Sequence, residues 1–230
     1  MLVAVLLGIF LGGEIALVKF RTTASPAYAE GAFAALGGLR SIAAEVIWFR
    51  ADRLQEEGRY VELVQLAEAL TAMEPHTPEV WSYAAWNLAY NISVMMDTPE
   101  DRWRWVLAGL RLLRDDALRL NPGDPDLARE LAWMFELKLG ADIDSAAGDY
   151  RRFWKEMVDD VRTRGAWHEL GMDEAKMRRL EQASGFTDWT DPQLSAIYWA
   201  GEGLARATGR TRAILSNIIQ QSAIIYKRRH

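Results

Sequence analysis

Apolar residues recur along most of the chain at spacings of three and four, which is the period of one face of an α-helix. This spacing occurs at Val46 and Phe49, and again at Leu63, Leu66 and Leu70. No stretch alternates between apolar and polar residues for long enough to predict a strand. The pattern therefore predicts an all-α chain, helical almost without a break from about residue 39 onward.

Turn-forming dipeptides divide this pattern into segments of about 12 to 18 residues, the usual length of helices in antiparallel pairs. Glycine permits the left-handed conformation that ends many helices, and proline cannot continue a helix. The predicted turns are Glu57-Gly58, Glu74-Pro75, Asn121-Pro122, Gly140-Ala141, Ser184-Gly185 and Thr208-Gly209.

The order of helices and turns repeats. A helix, a Gly-x-Tyr turn, a second helix and a proline occupy residues 44–75. A second unit runs from Pro78 to Pro122, and a third begins at Pro125. Small residues recur where the two helices of a pair would press together, at Ala51, Ala85 and Ala132.

These features resemble the tetratricopeptide repeat, a helix–turn–helix unit of about 34 residues that stacks into a solenoid. Trp81 takes the fourth position of the second unit, and Gly58 with Tyr60 takes the turn of the first. Leu63 departs from the pattern, because the repeat favours a small residue there, and the second unit is too long around Met95–Asp101. The resemblance covers residues 44–154 and, loosely, 190–226. It implies TPR-like antiparallel helix pairs over residues 39–165.

The remaining C-terminal residues are predicted to close this array. Residues 166–190 are a connecting segment, and 191–230 form a capping helix pair with a basic tail. Glu202 is the last acidic residue, and six basic residues follow it. The tail has two candidate contacts, acidic lipid headgroups and the protein's own acidic body.

Several strings also resemble a group of bacterial repeat proteins that carry an N-terminal hydrophobic segment. They are RADRLQEEGRY, AWNLAYNIS, DRWRWV, LLRDDALRLNP and ELAWMFELK. This resemblance implies an envelope or membrane scaffold, and it implies no catalytic activity.

The first 18 residues, MLVAVLLGIFLGGEIALV, contain one charged side chain, Glu14. Residues 1–21 are predicted to be a single transmembrane anchor, since about 20 apolar residues span a bilayer. A cleaved signal peptide and a buried core helix remain alternatives. Residues 22–38 are a spacer. The chain is predicted to be a single-pass protein of the bacterial inner membrane. The sequence does not decide on which side of the membrane the rest of the chain lies.

Composition narrows the candidate functions. The chain has no cysteine, which excludes disulfides and thiolate metal sites, and its net charge of −5 argues against nucleic acid as a partner. The three histidines are scattered, and Met172 stands where a zinc-protease helix beginning at His168 would need its second histidine. No catalytic, cofactor or metal site is predicted. A carboxylate-dependent hydrolase is the competing class, and it would need two acids meeting in a cleft.

Ten tryptophans give the chain its most specific candidate site. The repeat resemblance implies that certain positions of each first helix line a concave surface that binds proteins. The predicted protein-binding residues are Trp48, Asp52, Trp86, Tyr90, Arg129, Trp133 and Glu136. The alternative is that these aromatic rings are core residues, since large apolar side chains are usually buried. Asn87 and Asn91, one turn apart, have two interpretations: they contact a ligand, or they tie the helix to the segment after Met95.

The predicted function is a non-catalytic scaffold or accessory subunit of a membrane complex, with other proteins as partners. A purely structural subunit of a permanent complex is a further alternative.

Overall fold

The computed structural model describes residues 53–54 and 56–230. The chain divides into two units, Met1–Arg59 and Tyr60–His230. The predicted anchor and spacer, together with Trp48 and Asp52 of the predicted site, lie outside the described residues. In the first unit, the described residues end in a turn where the Arg59 N–H donates to the Leu54 carbonyl at 2.8 Å.

All regular secondary structure in the described residues of the second unit is helical, so the prediction of an all-α chain is confirmed there. None of its helices is long and apolar enough to cross a membrane. The helices are α1 (Tyr60–Met73), α2 (Pro78–Trp86), α3 (Pro99–Arg111), α4 (Pro125–Trp133), α5 (Ala147–Arg164), α6 (Glu174–Ser184), α7 (Pro192–Leu204) and α8 (Gly209–Arg229).

Three of these helices continue into wider π-helical turns. The π segments are Asn87–Ile92 after α2, Leu112–Ala117 after α3 and Met134–Leu139 after α4. A short 3-10 turn, Ser93–Met95, then ends the first of these stretches, and a last α turn, Leu118–Leu120, ends the second. The second repeat unit was predicted to have extra residues around Met95–Asp101. Most of these extra residues are helical, and only residues 96–98 form a loop between α2 with its extensions and α3.

Proline and aspartate fix where several helices begin. Pro78, Pro99, Pro125 and Pro192 stand at the first turn of α2, α3, α4 and α7, where a missing N–H has no consequence. The Asp124 carboxylate accepts hydrogen bonds from the N–H groups of Asp126 (3.0 Å) and Leu127 (2.9 Å), which caps α4.

Two glycines allow helix backbones to approach closely in the core. A Cβ at Gly109 of α3 would lie 2.7 Å from the Ala85 carbonyl oxygen of α2. A Cβ at Gly203 of α7 would lie 2.9 Å from the Ala128 Cβ of α4. These contacts hold α3 against α2, and α7 against α4.

The C-terminal helices extend this packing. Residues 192–200 of α7 are all buried, and the helix packs against both α4 and α8. Helix α8 buries Leu215, Ile218, Ser222 and Tyr226. The predicted connecting segment, 166–190, contains a 3-10 turn at Trp167–Leu170 and the whole of α6.

Candidate functional site

An aromatic groove lies between α2 and α4 and has a volume of about 170 Å³. Trp86 and Tyr90 stand one turn apart on one wall, and their rings stack with centroids 5.5 Å apart. Trp133 stands on the facing wall. The groove is lined by Ser82, Trp86, Tyr90, Leu113, Glu130, Trp133, Met134 and Leu137.

The two indoles of this groove are open to solvent, with Trp86 43% exposed and Trp133 41% exposed. Three other large apolar side chains, Val94, Met95 and Ile143, are also exposed. Val94 and Ile143 line the pocket that adjoins the groove at Tyr90. Most of the exposed large apolar side chains of the described residues therefore belong to one patch, which a folded protein rarely leaves without a use.

The α4 side of the groove carries an excess of negative charge. Arg129 forms ion pairs along its own helix with Asp126 at 2.7 Å and with Oε1 of Glu130 at 2.7 Å. Glu130 lines the groove, and Arg129 is not among the lining residues. Glu136 is only 6% exposed, and no cation of the described residues pairs with it. Burial raises the pKa of the Glu136 carboxyl to about 7.

The charges of Glu130 and Glu136 both act on the Tyr90 side chain. Burial holds the pKa of the Tyr90 phenol well above its usual value, and the charges of Glu130 and Glu136 raise this pKa further. These carboxylates therefore impose a negative potential on the part of the groove where Tyr90 lies.

A second pocket of about 340 Å³ adjoins the groove and shares Tyr90 with it. At its base the Lys138 ammonium pairs with the Asp144 carboxylate at 2.5 Å, and its nitrogen lies 5.0 Å from the centre of the Tyr90 ring. Burial opposes ionisation of the Asp144 carboxyl, but hydrogen bonds from Lys138, the Ala146 N–H and the Tyr150 hydroxyl keep its pKa below its usual value.

Arg102 of α3 fixes the wall of this second pocket. Its guanidinium donates to the carbonyls of Met96 (2.8 Å) and Val94 (3.4 Å) and to the Ser145 hydroxyl at 3.1 Å. One side chain thus ties the end of the α2 stretch to the loop before α5. The tie to the segment after Met95 that was considered for Asn87 and Asn91 is made by Arg102.

The two asparagines bond within their own helix. The Asn91 amide donates to the Asn87 side-chain oxygen at 2.6 Å, and the Asn87 amide donates to the Tyr83 carbonyl at 3.3 Å. These bonds do not tie the helix to the segment after Met95, so that interpretation is wrong, and the interpretation as a ligand contact stays a prediction.

A third pocket, of about 380 Å³, lies beside the C-terminal residues. Arg229 forms an ion pair with Asp191 at 3.0 Å and also donates to the Gly140 carbonyl. The His230 ring lies against the Tyr226 ring, with centroids 4.4 Å apart and the planes tilted by 31°. The basic tail therefore contacts the protein's own acidic residues at this point.

The structure brings part of the predicted site together. Trp86, Tyr90 and Trp133 line one groove, Arg129 is held along α4, and Glu136 lies buried near Tyr90. Glu130 was missed, because the repeat positions used for the prediction select its neighbour Arg129 and not Glu130 itself. Lys138 and Asp144 were also missed, since one of them is in a loop and no spacing in the sequence joins them.

No group of three or more metal-ligating histidine or acidic side chains occurs among the described residues. Comparison with protein-family models found no match, and comparisons with curated proteins and with solved structures found no significant similarity.

Proposed function

We propose that this protein is a non-catalytic scaffold or accessory subunit of a bacterial inner-membrane complex. Residues 1–18 would tether it as a single-pass protein, and its helices would pack as TPR-like antiparallel pairs. The packing of consecutive helices across short loops supports this arrangement, as do the small residues Ala85 and Gly109 at the contact of α2 with α3.

The observation that carries the proposal is the open aromatic groove. Trp86 of α2 and Trp133 of α4 both line it while remaining more than two-fifths exposed. Tryptophan dominates the binding energy of many protein interfaces, because it buries a large area with few rotatable bonds. We therefore assign the groove to an apolar segment of a partner protein.

Affinity purification of the full-length chain from solubilised native membranes tests this function. A dominant stoichiometric partner should be recovered with the wild type, and its yield should fall at least about tenfold with Trp133→Ala, as expected for a central interface tryptophan. Ile224→Ala is the matched control, because Ile224 is 44% exposed on α8, away from the groove.

Equal recovery of the partner by wild type and Trp133→Ala would exclude the groove as the docking surface. Recovery of no stoichiometric partner by the wild type would refute the scaffold function. Far-UV circular dichroism of both variants shows whether a loss of binding has its origin in unfolding.

One observation favours a second candidate, the carboxylate-dependent hydrolase. Glu136 has a pKa near neutrality, Glu130 lines the groove, and both carboxylates act on Tyr90, whereas acid–base catalysis by two carboxylates would require both in one cleft. Hydrolysis of the bound ligand separates the two functions. A hydrolase cleaves its ligand, and Glu136→Gln should abolish this cleavage while the ligand still binds. A scaffold binds its partner without cleaving it.

A further inference from the structure

The walls of the aromatic groove are suited to a flat cation. Trp86 and Tyr90 stack at an interplanar angle of 20°, and the stacked Trp86 side chain is still 43% exposed. Trp133 adds a second indole on the facing wall. A cation placed over such rings is attracted by the negative potential of their faces.

The charges around the groove favour the same ligand. Helix α4 and its π segment carry Asp126, Glu130 and Glu136 here, and Arg129 pairs only with the first two. Arg129 contacts Oε1 of Glu130, and no donor among the described residues contacts Oε2. Lys138, whose nitrogen lies 5.0 Å from the centre of the Tyr90 ring, is already paired with Asp144. Three carboxylates against one guanidinium leave this group with two uncompensated negative charges when Glu136 is ionised.

We propose that the partner segment bound by this groove presents an arginine, whose guanidinium stacks on Trp86 and Trp133 and pairs with Glu130. The proposal rests on the function assigned above. A guanidinium fits better than an ammonium, because it is planar, weakly hydrated and able to stack on a ring while it bonds a carboxylate at its edge. Glu136, whose charge acts on Tyr90 but which does not line the groove, adds attraction without contact.

Binding of capped pentapeptides by the full-length chain in mild detergent tests this inference. The probes share the sequence Leu-Ala-X-Ala-Leu, in which X is arginine, lysine or citrulline; citrulline keeps the shape of arginine but has no charge. The protein carries 5-fluorotryptophan, and the ¹⁹F resonances of Trp86 and Trp133 are assigned with Trp→Phe variants. Titration at pH 8 keeps Glu136 ionised.

The arginine peptide should shift both resonances and bind at least about tenfold more tightly than the citrulline peptide, since hydrogen bonds between charged groups are the strong ones. Glu130→Gln should reduce this preference to less than about threefold. Glu174→Gln should leave it unchanged, because Glu174 pairs with Arg178 on the surface of α6.

Three outcomes would overturn the inference. Equal affinity for arginine and citrulline peptides would show that the groove does not recognise a positive charge, while the proposed function, an apolar groove that binds protein, would stand. Equal affinity for arginine and lysine peptides would show that the groove does not select a guanidinium by stacking. No shift with any peptide, as expected for a groove filled by the chain's own N-terminal residues or by a second copy, removes both the arginine and the proposed function.

Discussion

Replacing Lys138 by methionine should destabilise the protein far more than the loss of an ordinary surface ion pair. Lys138 is 2% exposed and Asp144 is 5% exposed in their side chains, so the pair is shielded from water. Methionine keeps most of the length of lysine and removes its charge. Asp144 would then remain buried with the Tyr150 hydroxyl, the Ala146 N–H and a distant Arg102 at 3.5 Å.

The loss of one partner of a buried ion pair costs about 3–5 kcal/mol in the free energy of unfolding. The contacts that remain to Asp144 place this case near the lower limit, at about 3 kcal/mol. With a urea dependence of about 2 kcal/mol per M, the midpoint of unfolding should fall by about 1.5 M. Urea titration monitored by tryptophan fluorescence measures this shift.

Two further variants make the test specific. Lys176→Met removes the ion pair of Lys176 with Glu202, whose side chains are 43% and 34% exposed, and should cost below about 1 kcal/mol. The double variant Lys138→Met/Asp144→Asn leaves no unpaired charge and should be more stable than Lys138→Met alone. The reasoning fails if Lys138→Met is no more damaging than Lys176→Met, or if the double variant is the least stable.

Three other predictions concern the core, a cap and a titration. Gly109→Ala should lower the free energy of unfolding by about 1–3 kcal/mol, because its Cβ would press on the Ala85 carbonyl; an unchanged melting temperature would contradict the close approach of α3 to α2. Asp124→Ala should cost about 1 kcal/mol by removing a cap, whereas Thr208→Ala, whose side chain makes no cap bond, should cost little in the same urea titration. Glu136 has a folded pKa raised from 4.5 to about 7, so its contribution to stability is complete below pH 4.5 and is lost as the pH rises through 7. Glu136→Gln should therefore gain stability relative to wild type between pH 5 and 8, and parallel stability profiles of the two proteins over that range would refute the burial of this carboxyl.

The sequence predicts the helices well because local signals set their ends. Proline at the first turn of α2, α3, α4 and α7 and glycine after α6 are marks that depend on a few neighbouring residues. The π turns have no comparable mark, since apolar spacing is judged against an assumed period of 3.6 residues. Their positions depend on how neighbouring helices meet, which is a tertiary effect.

The candidate site shows the same division. The positions of Trp86, Tyr90 and Trp133 on facing walls follow from helical spacing and the order of the helices. The burial of Glu136 and the pairing of Lys138 with Asp144 depend on where the π segment after α4 turns its side chains and on the loop that follows it. Those features need coordinates, and they determine the charge of the groove.

Each π turn holds one residue more than an α turn would need to reach the same point. Removing a single residue inside Asn87–Ile92, Leu112–Ala117 or Met134–Leu139 would let the helix rewind as an ordinary α-helix while everything downstream keeps its facing. The same deletion in the middle of α5 would swing the rest of that helix by about 100° and expose its core. In the part of the chain that the structure describes, the three π segments are therefore places where the length of a helix can change by one residue.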